Sequence, residues 1–258
     1  MRPLFVTGVS LWAPGFPSLA AFMQGAFDPA IDDAACAWVP SRLLRGSSRL
    51  TRMFGEAAAQ ACTAAGRDPK EIATVYTSSY GEIETMVLLL DVIFRGDGQL
   101  SPMRFKNSVH NAASGLGSIG QLNTAFSTAL AAGPRSVEAG VLEALGLANE
   151  RGGDVVVSAA DDAIPAPLGA LDEREGLSAG LVISADPGPA PLARIVRVTQ
   201  LEEPVPLPGE VFGRPLAAGL RLNPAAHALP LLEALLARRP GLVPLAYDAP
   251  APYAIELG

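Results

Sequence analysis

The chain has 258 residues, of which 49% are hydrophobic, and a formal net charge of −7. This length is enough for one sizeable core, and an acidic chain without a sustained basic stripe is not expected to bind nucleic acid. The two cysteines, Cys36 and Cys62, fit neither a metal-ligand spacing nor a secreted disulfide framework. The sequence also lacks a Gly-rich phosphate loop, and no apolar run approaches the roughly 20 residues of a membrane helix. We therefore expect a cytoplasmic protein with no membrane span, no metal and no cofactor.

Five stretches have the composition of β-strands. They are residues 4–10, 72–79, 124–128, 154–160 and 176–186, which are rich in β-branched or apolar residues and are closed by turn residues. The fourth is apolar throughout, which is typical of a strand buried on both faces. Because helices are predicted between the strands, the pattern indicates an α/β domain with helices on both faces of its sheet.

The predicted helices cover about 49–65, 82–94, a small-residue segment within 107–123, and a long stretch after Gly133 with Pro134 at its first position. Ser47 or Ser48 is expected to cap the first of these helices. The second has an apolar stripe, which consists of Ile83, Met86, Val87, Leu90 and Phe94.

Prolines become dense from residue 187 onward. We therefore divide the chain into a domain at 1–186 and a Pro-rich extension at 187–258. The extension is expected to contain one helix, near Leu229 to Arg238, that packs on the domain, and a final strand at 253–257. His227 is expected to lie on the surface of this extension.

The segment FSTALAAG, residues 126–133, is a strand that runs into a tight turn and then a helix. Enzymes often hold a nucleophile at such a turn, but the residue found here is Leu130. A leucine cannot ionise, attack a thioester or hold an acyl group. Other features surround this segment in a fixed order: TGVS in the first strand, SSYGEI after the second, the small-residue helix HNAASG, and the apolar strand DVVVSAADD.

Together and in this order, these features resemble the N-terminal half of a β-ketoacyl synthase, a member of the thiolase-like superfamily, over roughly residues 3–186. In that family the strand ends in a Ser-Thr-Ala-Cys-Ala-Ser/Thr-Gly type of motif, and its cysteine carries the acyl chain as a thioester. Leu130 stands in the cysteine's place, and the matching positions are Ser127, Thr128, Ala129, Ala131 and Gly133. The resemblance implies a thiolase-like half with a mixed five-stranded sheet.

The resemblance also implies that the catalytic bases are missing. The family's second half supplies histidines that assist decarboxylation and condensation, and this chain is too short for both halves. Its histidines are His110 and His227. We expect His110, which precedes the small-residue helix, to be structural.

A ketosynthase-like subunit without the cysteine is called a chain-length factor, and the resemblance implies this role in fatty acid, polyketide or aryl-polyene biosynthesis. Such a subunit forms a heterodimer with a full-length ketosynthase, and an acyl carrier protein would meet it through the complex. In the family, the strand before the nucleophile pairs with its counterpart across a two-fold axis. The implied interface residues are Ala112, Ala113, Ser114, Gly115, Thr124, Ala125, Phe126, Ser127 and Thr128. The implied residues that line or close the acyl tunnel are Met103, Phe105, Val109, His110, Leu116 and Leu130.

Two alternatives remain open. The chain could be an acyltransferase or hydrolase that uses Ser114 or Ser127 as nucleophile and His110 as base, although no GxSxG motif and no third triad member accompany them. It could also be a homodimeric acyl-binding module that uses the same apolar groove without chemistry.

Overall fold

A computed structural model describes residues 2–96, 98–166, 168 and 173–258. Its strands are β1 (Leu4–Trp12), β2 (Ala73–Thr77), β3 (Ser127–Leu130), β4 (Asp154–Asp161), β5 (Leu177–Ser184), β6 (Ala193–Gln200), β7 (Glu210–Val211), β8 (Arg214–Pro215), β9 (Gly241–Pro244) and β10 (Tyr253–Leu257). Its α-helices are α1 (Leu19–Gln24), α2 (Ser41–Leu44), α3 (Arg49–Ala65), α4 (Ile83–Arg95), α5 (Pro102–Asn107), α6 (Ala112–Gln121), α7 (Ser136–Arg151), α8 (Ala218–Arg221) and α9 (Leu229–Leu236), and two 3₁₀-helices cover Gly133–Arg135 and Pro224–Ala228.

One mixed sheet contains eight of these strands in the order β3-β2-β4-β5-β1-β6-β10-β9. Strand β2 is parallel to both of its neighbours, and the other adjacent pairs are antiparallel. The α/β class and all five predicted strands are confirmed, but the expected size of five strands is wrong because β6, β10 and β9 extend the sheet beyond β1. The third strand also begins at Ser127 rather than Thr124, since the Asn123 side chain accepts a hydrogen bond from the Ala125 amide and shapes a turn there.

Helix α3 covers one face of the sheet at unusually short range. Small residues on β1 and β5 make this possible, because a Cβ atom added at Gly8 or Gly180 would lie 2.4 Å from a carbonyl oxygen of α3. The hydroxyls of Ser10 and Ser158 donate to α3 carbonyls at 2.6 Å and 2.9 Å. Ser48 caps the helix, as one of the two predicted caps, and its hydroxyl accepts from the Thr51 amide.

The opposite face of the sheet is covered by α7 and α9. Val141 and Ala144 of α7 and Leu232 of α9 belong to the same buried cluster as Val155 and Val157 of β4. The alternation along β4 therefore sends successive side chains to α7 on one face and α3 on the other.

Helix α4 buries very little of its apolar surface. Leu89 is its one buried residue, whereas Met86, Leu90 and Ile93 are exposed and Phe94 is 84% exposed. The predicted apolar stripe exists in the helix, but it does not meet the core of this chain. Such a surface on a folded chain is typical of an interaction site.

Residues 187–258 supply β6, β9 and β10, the predicted helix as α9, and the buried leucines of that helix. The last strand, β10, lies at the predicted position 253–257. The division of the chain between residues 186 and 187 stays a prediction, and the sheet runs across it from β1 to β6. Among the described residues, no helix has the length and apolar character needed to cross a membrane.

Candidate functional site

Strand β3 lies at one edge of the sheet. It pairs with β2 on one side, and no described strand pairs with its other side. The Phe126 carbonyl accepts a hydrogen bond from the Thr74 amide of β2, and the Leu130 carbonyl accepts one from the Ser78 amide just after β2. Because the direction of backbone groups alternates along a strand, the N–H and C=O groups of Ser127 and Ala129 point away from the sheet. The free edge can therefore accept another strand.

Leu130 is the last residue of β3 and is partly buried against the main core. Its carbonyl oxygen accepts from the Ser78 amide at 3.2 Å and lies 2.8 Å from Nε2 of His110. Since a carbonyl can only accept, Nε2 of His110 carries a proton. The ring of His110 also fills the space beside Gly81, where a Cβ atom would lie 2.4 Å from Nδ1.

The turn that follows Leu130 is held by polar side chains from the end of β2. The Ser79 hydroxyl donates to the Gly133 carbonyl at 2.5 Å, and the Thr77 hydroxyl donates to the Ser136 carbonyl at 2.6 Å. The predicted helix after Gly133 starts as a 3₁₀ turn and becomes α-helical only at Ser136. Leu130 is thus separated from α7 by five residues, so it does not lie in the first turn of that helix.

Two buried carboxylates fix the loop between β2 and α4. Asp161 is 2% exposed and accepts from the Ser78 hydroxyl and from the Ser79 and Tyr80 amides at 2.6 to 3.2 Å. Burial raises the pKa of its carboxyl group, and these hydrogen bonds lower it in part. The sequence showed two adjacent aspartates, Asp161 and Asp162, at the end of β4 without indicating this role.

Glu82 is the second of these carboxylates. It accepts hydrogen bonds from the hydroxyls of Ser48, Thr51 and Thr85, and burial raises the pKa of its carboxyl group. It therefore ties the start of α4 to the start of α3.

His227 is buried, so its expected surface position is wrong. It is 8% exposed, and its Nδ1 atom accepts from the Tyr247 amide at 3.4 Å. Burial is the main cause of the lowered pKa of its imidazole. The nearly continuous apolar run around it, residues 224–236, is the signal that favoured a buried position.

The candidate tunnel residues fall into three places. Met103, Val109 and Leu116 line one groove of about 380 Å³ between α2, α5 and α6. Phe105 lies outside the lining of this groove and is 65% exposed. The His110 ring is hydrogen-bonded to the Leu130 carbonyl at the end of β3.

The candidate interface residues also differ in exposure. Ala113 and Ser114 are buried within the chain, and the Ser114 hydroxyl donates to the Asn111 carbonyl. The partly or fully exposed members are Ala112, Gly115, Thr124, Ala125, Phe126, Ser127 and Thr128. The Ser127 hydroxyl accepts from Oγ1 of Thr74 rather than bonding to a histidine.

Most of the large hydrophobic side chains that are exposed lie between residues 80 and 122. They are Tyr80, Met86, Leu88, Leu90, Ile93, Phe94, Leu100, Met103, Phe105, Val109, Ile119 and Leu122. We call this set, which includes the outer face of α4, the apolar face. It belongs to the part of the chain that precedes the edge strand.

The chain belongs to the family of β-ketoacyl synthase N-terminal domains, which match residues 22–205. The chain shares its fold with a chain in the solved structure of the ketosynthase ApeO in complex with its chain length factor ApeC from Xenorhabdus doucetiae. The two chains are 21% identical, and they align with a TM-score of 0.68 over 100% of both. It also shares its fold with a chain of the ishigamide ketosynthase/chain length factor, with 16% identity and a TM-score of 0.72 over 99% of both chains.

A type II polyketide synthase acyl-carrier protein in complex with its ketosynthase, AntDE:AntF, matches at 16% identity and a TM-score of 0.61, over 79% of this chain and 71% of that one. These likenesses establish a thiolase-like fold. No curated protein matches the chain.

Proposed function

We propose that this chain is a non-catalytic β-ketoacyl synthase-like subunit, a chain-length factor, that pairs with an active ketosynthase and shapes its acyl tunnel. The observation that carries the proposal is the free edge of β3, which ends at Leu130 in the place of the family's cysteine. The solved ketosynthase and chain length factor complexes with the same fold support it. We place the complex in the cytoplasm, where it would meet an acyl carrier protein.

The chemistry near Leu130 supports a non-catalytic role. The side chain is a hydrocarbon and cannot form a thioester. Both histidines already make structural hydrogen bonds, His110 to the Leu130 carbonyl and His227 to the Tyr247 amide. The hydroxyls of Ser114 and Ser127 bond to other partners, so the serine-nucleophile alternative has no support in these contacts.

The edge strand and the apolar face support assembly. Folded proteins usually cover both a free strand edge and a set of exposed apolar side chains. Obligate interfaces are large and apolar, and the apolar face has that composition. The partner we propose is a full-length ketosynthase with its cysteine intact.

In this complex the tunnel would be shaped by residues beside the edge strand. Met103, Val109 and Leu116 share one groove, and Leu130 is the last residue of β3. We propose that these residues form the wall that stops the growing acyl chain. The domain at 1–186 then supplies the interface and the wall, and the extension at 187–258 packs behind them.

The test is co-expression with the cognate full-length ketosynthase, followed by light scattering. Ser127→Pro removes an amide that points outward, so the ladder to β2 is kept while a partner strand cannot pair there. We expect wild type to give a 1:1 complex and Ser127→Pro to weaken it at least about tenfold. Ser127→Ala is the matched control, because it also loses the bond from Thr74 but keeps the amide. A heterodimer of equal affinity in all three proteins would refute pairing through β3.

A further inference from the structure

A single buried carboxylate holds the loop 78–81, which follows β2. Oδ1 of Asp161 accepts from the Ser78 hydroxyl at 2.6 Å and from the Tyr80 amide at 3.2 Å. The Ser79 amide donates to both carboxylate oxygens, at 2.9 Å and 3.1 Å. Three successive residues of the loop are therefore bonded to one side chain of β4.

The other side of the loop 78–81 is bonded to the end of the edge strand. The Ser78 amide donates to the Leu130 carbonyl at 3.2 Å, and the Ser79 hydroxyl donates to the Gly133 carbonyl at 2.5 Å. These two bonds join the loop to the last residue of β3 and to the turn that follows it.

His110 depends on the same loop. The Ser78 hydroxyl accepts from the Gly81 amide at 2.8 Å, and Gly81 has a φ of 56°. The His110 ring lies against this glycine, because a Cβ atom there would be 2.4 Å from Nδ1. Its Nε2 atom donates to the Leu130 carbonyl at 2.8 Å. Both donors to the Leu130 carbonyl thus belong to the loop or pack on it.

We propose that Asp161 is a positioning residue which, through the loop 78–81, sets the place of Leu130 and of the turn after it, and so the end of the β3 edge that a partner strand would meet. The effect on the partner rests on the function proposed above. The effect on the strand end does not, because all of these bonds lie within this chain.

Asp161 has a fixed position from which to act. It is the last residue of β4, which pairs with β2 on one side and β5 on the other, and it is 2% exposed. Its own carbonyl accepts from the Asn223 side chain at 2.7 Å. A carboxylate offers about four acceptor sites, so this one side chain can take all the bonds from the loop. The centre of the sheet is in this way linked to its free edge.

Two substitutions at Asp161 test the link. Asp161→Ala removes every acceptor, whereas Asp161→Asn keeps an oxygen in the place of Oδ1. Amide hydrogen exchange on the isolated chain measures the turn through Ala132, whose amide donates to the Ser136 hydroxyl at 3.1 Å. We expect Asp161→Ala to raise the exchange rate of Ala132 at least about tenfold and Asp161→Asn to keep it within about threefold of wild type. An unchanged rate in Asp161→Ala would overturn the proposal.

Ser158→Ala is the matched control. Ser158 is buried on the same strand, but its hydroxyl donates to the Phe54 carbonyl of α3 at 2.9 Å and not to the loop. Both alanine variants lose buried hydrogen bonds and should lower the unfolding temperature, whereas only Asp161→Ala should speed the exchange of Ala132. An equal rise in both variants would show a general loss of stability, and the proposal would be wrong.

Ser79→Ala tests the route through the loop. It removes the hydroxyl that donates to Gly133 and keeps the amide that donates to Asp161. We expect Ser79→Ala to raise the exchange rate of Ala132 about tenfold, and Asp161→Ala to add at most about threefold in that background, because the two act in series. Fully additive effects would contradict this route. If Asp161→Ala does not fold, an unchanged rate in Ser79→Ala is enough to overturn the proposal.

The partner arm uses the same variants with the cognate ketosynthase and measures the heterodimer dissociation constant. We expect Asp161→Ala to raise it about tenfold and Ser158→Ala to leave it near wild type. If wild type forms no heterodimer, the proposed function fails, while the exchange experiment still decides whether Asp161 holds the strand end. If exchange rises but the dissociation constant does not change, Asp161 does not position the edge for a partner and the proposal is overturned.

Discussion

The exposed ring of Phe94 offers a direct measure of what the apolar face does. Phe94 is 84% exposed on α4, so almost the whole ring is available to a partner. Full burial of such a side chain stabilises by about 1.5–3 kcal/mol. Since about 1.4 kcal/mol is a factor of ten, Phe94→Ala should raise the heterodimer dissociation constant about 10- to 150-fold. Alanine favours helix more than phenylalanine does, so the unfolding temperature of the isolated chain should stay the same or rise slightly.

The control for this prediction is Phe27→Ala, because Phe27 is also exposed, at 60%, but lies outside the apolar face. The assay is titration of the ketosynthase with each variant, followed by calorimetry or light scattering, with a thermal melt of each chain alone. Equal dissociation constants for both variants and wild type would show that α4 does not take part in the interface, and the argument from its exposure would be wrong.

Three further predictions follow from the site. Leu130→Cys should give at most slow acylation and no β-ketoacyl product, because no base is placed to assist decarboxylation; an assay with acyl- and malonyl-loaded carrier protein and intact mass spectrometry would detect either. Met103→Ala and Leu116→Ala should lengthen the acyl chain made by the complex, as each added CH₂ gains about 0.8 kcal/mol when it can be buried; product analysis of intact complexes with unchanged lengths would contradict a wall at the groove. The pKa of His227 is lowered from 6.5 in the folded chain, so on acidification the unfolded state takes up a proton at this residue before the folded state does. Stability should therefore fall as the pH drops below about 6.5. Denaturant titrations from pH 7.5 to 5.5 should show that the advantage of wild type over His227→Gln shrinks on acidification, and a constant difference would exclude this cause.

The central strands could be predicted because their residues carry a local signal. Residues 154–161 and 177–184 are mostly apolar and are buried on both faces, so their composition and the turn residues beside them were sufficient to predict strands. Strand β6 was missed because it has a mixed pattern, with Arg194 and Arg197 exposed beside a buried Ile195. Its position among the dense prolines of the extension hid the pattern further.

Periodicity located α4 but could not indicate what its apolar stripe meets. The same spacing serves a helix that faces the core of its own chain and one that faces a partner. The place of Asp161 depends on contacts between residues far apart in sequence, such as the hydrogen bond that it accepts from Ser78. No local pattern encodes such pairs.

The position of β1 in the sheet has a consequence for how the chain folds during synthesis. This first strand lies between β5 and β6, with Phe5 opposite Ser184 and Leu4 opposite Ile195. It therefore has no neighbour in the sheet until almost three quarters of the chain has left the ribosome. At roughly 5–20 residues per second, an apolar segment waits about 10–35 s without its partner strands. Helix α3, which begins at residue 49 and packs on β1, would protect the strand during this interval. Pairing between strands so far apart in sequence is slow and is expected to limit the folding rate.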